Sequence, residues 1–192
     1  MSASFRTIFL VIIATIFFSN IIKAQPRKGE FVEASIGFGV SVPDEDIEIY
    51  GSGFYAQGEY VIGLTKWFGL RPYAGIILTS PDKNTTQPSF SEYKVTSKAF
   101  LFGGKARICA PIPWVAPYFE LGIGASIGSF ETYTPISNIK KDGLLVHIPV
   151  EIGLALGPKH NFEFALTYYF HPTVEQFSGA VAFGVSFPIN SK

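Results

Sequence analysis

The sequence predicts an all-β fold, an eight-stranded antiparallel up-and-down transmembrane β-barrel preceded by a cleaved signal peptide. Three observations carry this. Charged residues make up 16% of the chain and aromatic residues also 16%, whereas an ordinary soluble domain carries roughly 25% charge. After residue 25 no apolar run approaches the roughly 20 residues that a spanning helix needs, and apolar side chains recur with period two instead. The segments between the alternating stretches are in turn long and short, the asymmetry of a barrel with long loops on one side of a membrane and tight turns on the other.

Residues 1–24 form the expected signal peptide. Arg6 supplies the positive n-region, Ile8 to Phe18 the apolar h-region, and Ala24 a small residue before a cut at Gln25. Ser19 and Asn20 end the h-region too early for a membrane span. The barrel domain is then residues 25–192. Without Arg6 and Lys23 the chain holds 13 basic and 15 acidic residues, which leaves no basic footprint for nucleic acid. Cys109 is the only cysteine, so no internal disulfide forms, and it is expected to be a buried, inert thiol.

Each strand divides into an apolar and a small or polar register. Strand one, about 31–42, sets Val32, Ile36 and Phe38 against Glu33, Ser35 and Gly37; strand two, about 54–66, sets Phe54, Ala56 and Tyr60 against Tyr55, Gln57 and Glu59. Strand three is short, about 72–79, with Ala74, Ile76 and Leu78 opposed to Tyr73, Gly75 and Ile77. Strand four, about 93–108, opposes Phe100, Phe102 and Ala106 to Leu101, Lys105 and Arg107, and strand five, about 117–130, opposes Phe119, Leu121 and Ile123 to Tyr118, Glu120 and Gly122. Strand six, about 143–156, sets Leu144, Val146 and Ile148 against His147, Pro149 and Glu151. Pro149 lacks a ladder donor, so a bulge or gap is expected there. Strands seven, about 161–170, and eight, about 176–187, oppose Phe164, Leu166, Val181 and Phe183 to Glu163, Thr167, Ser178 and Ala180. The long connections are Pro43 to Gly53, Ser80 to Glu92 and Glu131 to Asp142. The short ones are Trp67 to Leu70, Cys109 to Ala116 and Gly157 to His160.

Period two does not say which face is outside, because a soluble lipocalin-like barrel has the same periodicity in the opposite phase. Eleven phenylalanines occupy the apolar register, too many for an eight-stranded lumen that side chains already fill. The other register, largely Gly, Ala, Ser and Thr, makes a poor soluble surface. The apolar register holds no charge, where a mid-membrane Lys or Arg would cost about 2–4 kcal/mol. The apolar face is therefore expected to meet lipid and the polar face to line the lumen.

The segments "WFGLRPYAGIIL" (Trp67 to Leu78), "WVAPYFELGIGASIG" (Trp114 to Gly128) and "GAVAFGVSF" (Gly179 to Phe187) resemble the outer-membrane β-barrel domain family, small eight-stranded barrels similar to the membrane domain of outer membrane protein A. The resemblance implies a cell outer-membrane location, contact with outer-membrane lipid, and insertion by the barrel-assembly machinery, which reads a terminal aromatic strand whose end Phe187 matches. Residues Pro188 to Lys192 are expected to follow as a short tail.

The polar register brings together Glu33, Glu59, Glu120, Glu151 and Glu163 as acids with Lys105, Arg107 and His147 as partners. Buried charge survives only when paired, so these eight residues are expected to form a structural lumen network, with a narrow ion path as the sharper alternative. No catalytic, cofactor or metal residue is assigned. A lipid A-modifying barrel enzyme is the rival function, but His147 and Glu151, four apart on one strand, stand about 13 Å apart by strand rise. His171 and Ser178 lie near the last loop without a supporting motif. His160 is expected to be solvated in a turn. The run Asp44, Glu45, Asp46 and Glu48 offers carboxylates to a divalent cation, against the plainer reading of a solvated loop. The expected function is a non-enzymatic, monomeric envelope component whose extracellular loops meet an unidentified ligand or surface; a soluble lipid carrier is a third reading.

Overall fold

The computed structural model describes residues 28–44, 49–81, 93–135 and 137–191. The expected signal peptide, residues 1–24, lies outside them, as do Glu45, Asp46 and Glu48 of the acidic run. The strands are β1 (Gly29–Pro43), β2 (Gly51–Gly63), β3 (Phe68–Pro81), β4 (Lys94–Cys109), β5 (Val115–Tyr133), β6 (Asn138–Leu156), β7 (Phe162–His171) and β8 (Gln176–Ser191). Each pairs antiparallel with its neighbour in sequence, and β1 with β8 closes the ring. The eight-stranded up-and-down barrel expected from the alternation is therefore the observed fold.

The register fixes its girth. From Gly29 the pairing runs through Gly63, Gly69, Arg107, Glu120, Glu151, Thr167 and Ala180 and returns to β1 at Gly39, ten residues further along. Eight strands with that stagger tilt by about 40° and enclose a backbone cylinder of about 8 Å radius. Such a lumen is just wide enough for side chains to fill.

The phase is the one expected. Phe38, Ile123 and Phe164 point outward and are 56%, 68% and 44% exposed, while Glu33, Tyr55, Lys105, Glu120 and Tyr169 are buried inside. Closure pairs the backbone within the sheet, as hydrocarbon requires. Besides a register shift between β1 and β8, two ladders have gaps, and proline sits at both gaps. The β5–β6 ladder skips from Leu121↔Val150 to Gly124↔His147, so Pro149 makes a gap without a change of register. A second gap, absent from the sequence expectations, separates Glu59↔Tyr73 from Ile62↔Leu70 in the β2–β3 ladder, where Pro72 stands.

Four expectations need correction. β3 begins at Phe68, four residues before the expected start, because residues 68–71 continue the ladder with β4. The supposed long loop Glu131 to Asp142 is mostly strand: β5 and β6 stay paired up to Tyr133↔Asn138, so a tall hairpin rises there. The tail after Phe187 is also strand, since Pro188, Asn190 and Ser191 pair with β1 across a register shift at Glu30/Phe31. His160 is buried, and its Nε2 lies 3.0 Å from the Ile112 carbonyl, joining the β6–β7 turn to the β4–β5 turn.

Candidate functional site in the barrel lumen

The inward side chains stack in storeys along the barrel axis. Nearest the end where β1 begins and β8 ends is an ionic storey. Arg71 on β3 reaches four carboxylates: Glu33, with which it makes its shortest contact, Glu59 and Glu120 at 3.0 Å each, and Glu163 at 3.3 Å. The Lys105 ammonium sits among Glu59 at 2.6 Å, Glu120 at 2.5 Å and Glu151 at 2.7 Å. Arg107 holds Glu163 through two parallel N–H···O contacts of 2.6 Å each, meets Glu120 through Nε, and lies 3.4 Å above the Tyr118 ring. The bidentate fork and the stacked guanidinium are what arginine offers and lysine does not. Tyr118 and Thr167 hydroxyls donate to Glu151 at 3.0 and 3.1 Å, and the Gln57 amide donates to Glu59 at 2.7 Å.

Seven of the eight residues singled out in the sequence meet here: Glu33, Glu59, Lys105, Arg107, Glu120, Glu151 and Glu163. Arg71 was missed. It lies just outside the expected start of strand three, yet it shares the parity of Tyr73, Gly75 and Ile77, and that parity was the signal that could have found it. His147 does not join the acids. Its Nε2 lies 2.5 Å from the Tyr73 hydroxyl and its Nδ1 lies 2.6 Å from Ser126 Oγ, which in turn is 2.9 Å from His171 Nε2. This second storey is uncharged in its partners. Tyr169 donates to Gln57 at 2.5 Å and meets the Tyr55 hydroxyl at 2.9 Å, which links the two storeys. A Cβ at Gly124 would collide with the Tyr73 hydroxyl and the His147 ring, so glycine is what allows these side chains to cross the lumen.

Above lie Ile77, Leu101, Leu145 and Phe130, all buried, and then a hydroxyl layer. Ser41 bonds Thr79 and Ser97 at 2.9 Å, and Ser97 meets Ser178 at 2.6 Å. The β7–β8 turn is tied to the neighbouring strands at the mouth. Thr132 donates to the Val174 carbonyl at 3.0 Å, Ser137 to the Glu175 carboxylate at 3.1 Å, and the Asp44 amide to the Glu175 carbonyl at 2.9 Å. At the opposite end is a cavity of roughly 60 Å³ lined by Trp67, Arg71, Arg107, Cys109, Asn161 and Glu163 among others. Cys109 is a buried free thiol.

Three features bear on chemistry. Carboxylate oxygens of Glu59, Glu120 and Glu151 lie within 4.8 Å of one another, the spacing of a metal cage, but the Lys105 ammonium already stands among them. Ser126 lies between two imidazoles, yet it and both histidines are fully buried, away from the outer face of the barrel. His171 bonds Ser126 and Ser178 bonds Ser97, so the histidine and serine considered together from sequence take different partners.

No protein-family model and no curated protein matches the chain. Solved structures do. Neisserial surface protein A is 14% identical over 86% of this chain and 100% of its own, with a TM-score of 0.54. The likeness is one of fold. The N-terminal β-barrel domain of OprF from Pseudomonas aeruginosa is 12% identical over 83% of this chain and 98% of its own, with a TM-score of 0.49. Ail, the attachment invasion locus protein of Yersinia pestis, is 17% identical over 83% and 99%, with a TM-score of 0.48. The resemblance drawn from the turn-to-strand segments is thus met at the level of architecture.

Proposed function

We propose that the chain is an integral outer-membrane β-barrel, inserted by the barrel-assembly machinery after removal of residues 1–24, and that it serves as a non-enzymatic, monomeric envelope component. The observation that supports this reading is the division of side chains. A closed sheet turns Phe38, Ile123, Leu144 and Phe164 outward and keeps Arg71, Lys105 and Arg107 inside against five carboxylates. Only a hydrocarbon surrounding makes that exterior favourable. The ionic storey then acts as a structural plug. Its carboxylates and cations pair with one another, which favours a structural part over an ion channel.

The outer rim is the surface left for recognition. Fractionation tests the placement: the protein is expected in the outer membrane, with an electrophoretic mobility that changes on boiling, and recovery in the soluble fraction would refute it. Incubation of the purified barrel with lipid A tests the enzymatic rival, with no change of lipid mass expected.

A further inference from the structure

The acids and bases of the ionic storey do not balance. Five buried carboxyl groups, Glu33, Glu59, Glu120, Glu151 and Glu163, meet three cations among the described residues, Arg71, Lys105 and Arg107, so full ionisation would leave two negative charges inside a closed barrel. Uncompensated buried charge is costly, and a carboxyl group escapes the cost by keeping its proton. The imbalance is local. Arg71 and Arg107 stand with Glu163 beside the cavity at the turn end, and Arg71 brings in Glu33, which makes two cations for two acids. Deeper in the lumen the single ammonium of Lys105 serves Glu59, Glu120 and Glu151.

Glu151 stands apart from the other two. Glu59 is also held by Arg71, and Glu120 by both arginines, whereas Lys105 is the only cation in contact with Glu151 among the described residues. Glu151 is moreover the ladder partner of Glu120. Two carboxyl groups directly opposite each other on the inner face disfavour charge on both. The charged groups that face Glu151 are Lys105 and Arg107 from β4, Glu120 from β5 and Glu59 from β2, while β7 offers the neutral Thr167. Oε2 already takes Lys105 at 2.7 Å and Thr167 at 3.1 Å. A proton therefore belongs on Oε1, 3.0 Å from the Tyr118 hydroxyl, whose oxygen can accept as well as donate.

We infer that Glu151 is a proton site, and that closing the barrel takes up a proton onto its carboxyl group. Assembly is then coupled to pH. The unfolded chain releases this proton above about pH 4.3, the ordinary glutamate value. The native state therefore binds one proton more, and the folding constant falls as pH rises, by about tenfold per unit for as long as Glu151 stays protonated. The inference goes beyond the envelope role and needs only the closed barrel.

The test counts protons as the urea-unfolded chain folds into phosphatidylcholine vesicles in weak buffer with an indicator dye, at about pH 6, where an unfolded glutamate is ionised. Imidazoles also titrate near this pH, so the quantity read is the difference between the wild type and Glu151→Gln, in which they cancel. That difference is expected to be about one proton per chain, while Asp142→Asn, on the exposed part of β6, leaves the count unchanged. Infrared spectra of the folded wild type are expected to show the C=O stretch of a protonated carboxylic acid, which Glu151→Gln diminishes. The amide replaces a neutral group, so this variant is also expected to unfold at the wild-type urea midpoint at that pH. Heat-modifiable mobility confirms folding, and Glu151→Met serves for the same readings if the amide is not tolerated. Equal counts for the wild type and the variant overturn the proposal, and so does a folded wild type without the carboxylic-acid band. Fractionation reports separately on the membrane reading, so the two failures are distinguishable.

Discussion

Replacing Arg71 by methionine removes the cation that contacts the most carboxylates, but the loss is not shared equally among its four partners. Glu59 and Glu120 keep Lys105, and Glu163 keeps its two contacts with Arg107. Glu33 is different, because among the described residues Arg71 is the only cation in direct contact with it, and Arg107 acts on it from further away. The variant therefore leaves one buried carboxylate without a contacting cation. Breaking a buried pair in this way costs about 3–5 kcal/mol, and the lower end is expected here because the other three acids stay neutralised. The assay is equilibrium urea unfolding of the barrel in lipid vesicles. Adding Glu33→Gln to Arg71→Met removes the stranded charge while keeping most of its shape, so the double variant is expected to recover more than half of the loss. Unfolding of Arg71→Met at the wild-type midpoint, or a double variant no more stable than the single one, would refute the reasoning.

Ile36 is 64% exposed on the outer face of β1, and Ile36→Arg is expected to destabilise the vesicle-inserted barrel by about 2–4 kcal/mol, measured by the same unfolding. Gly124→Val forces Tyr73 and His147 from their present contact, and a loss of about 1–3 kcal/mol is expected; tyrosine fluorescence would report the displaced ring. Lys94→Ala removes only a partly exposed ion pair and is expected to shift stability by less than about 1 kcal/mol. His160→Ala deletes the bond to the Ile112 carbonyl, with an expected loss of about 1 kcal/mol and faster hydrogen exchange in the two turns that it joins.

The alternation along each strand was legible because the two faces meet different surroundings, and period two records that difference directly. Parity alone placed Glu33, Glu59, Glu120, Glu151 and Glu163 inside with Lys105 and Arg107. Parity does not record height. His147 shares its face with Glu151, but the axial level of a residue depends on how all eight strands are staggered, and that stagger places His147 beside Tyr73 and Ser126. Arg71 escaped notice because strand three was expected to begin at about 72, whereas residues 68–71 continue the ladder with β4. The hairpin above the rim was hidden by composition. Lys140, Lys141, Asp142 and Gly143 read as loop residues, although cross-strand pairing with β5 holds them extended. His160 shows the same limit, since its partner at Ile112 lies far away in sequence.

The orientation of the apolar face is tested most directly by spin labels on single cysteines at Phe38, Ile123 and Phe164, introduced with Cys109→Ala and reconstituted into vesicles. Relaxation of all three labels by oxygen, with little effect from a water-soluble nickel chelate, is the expected result. Labels immobilised in the lumen, or relaxed by the nickel chelate rather than by oxygen, would contradict it.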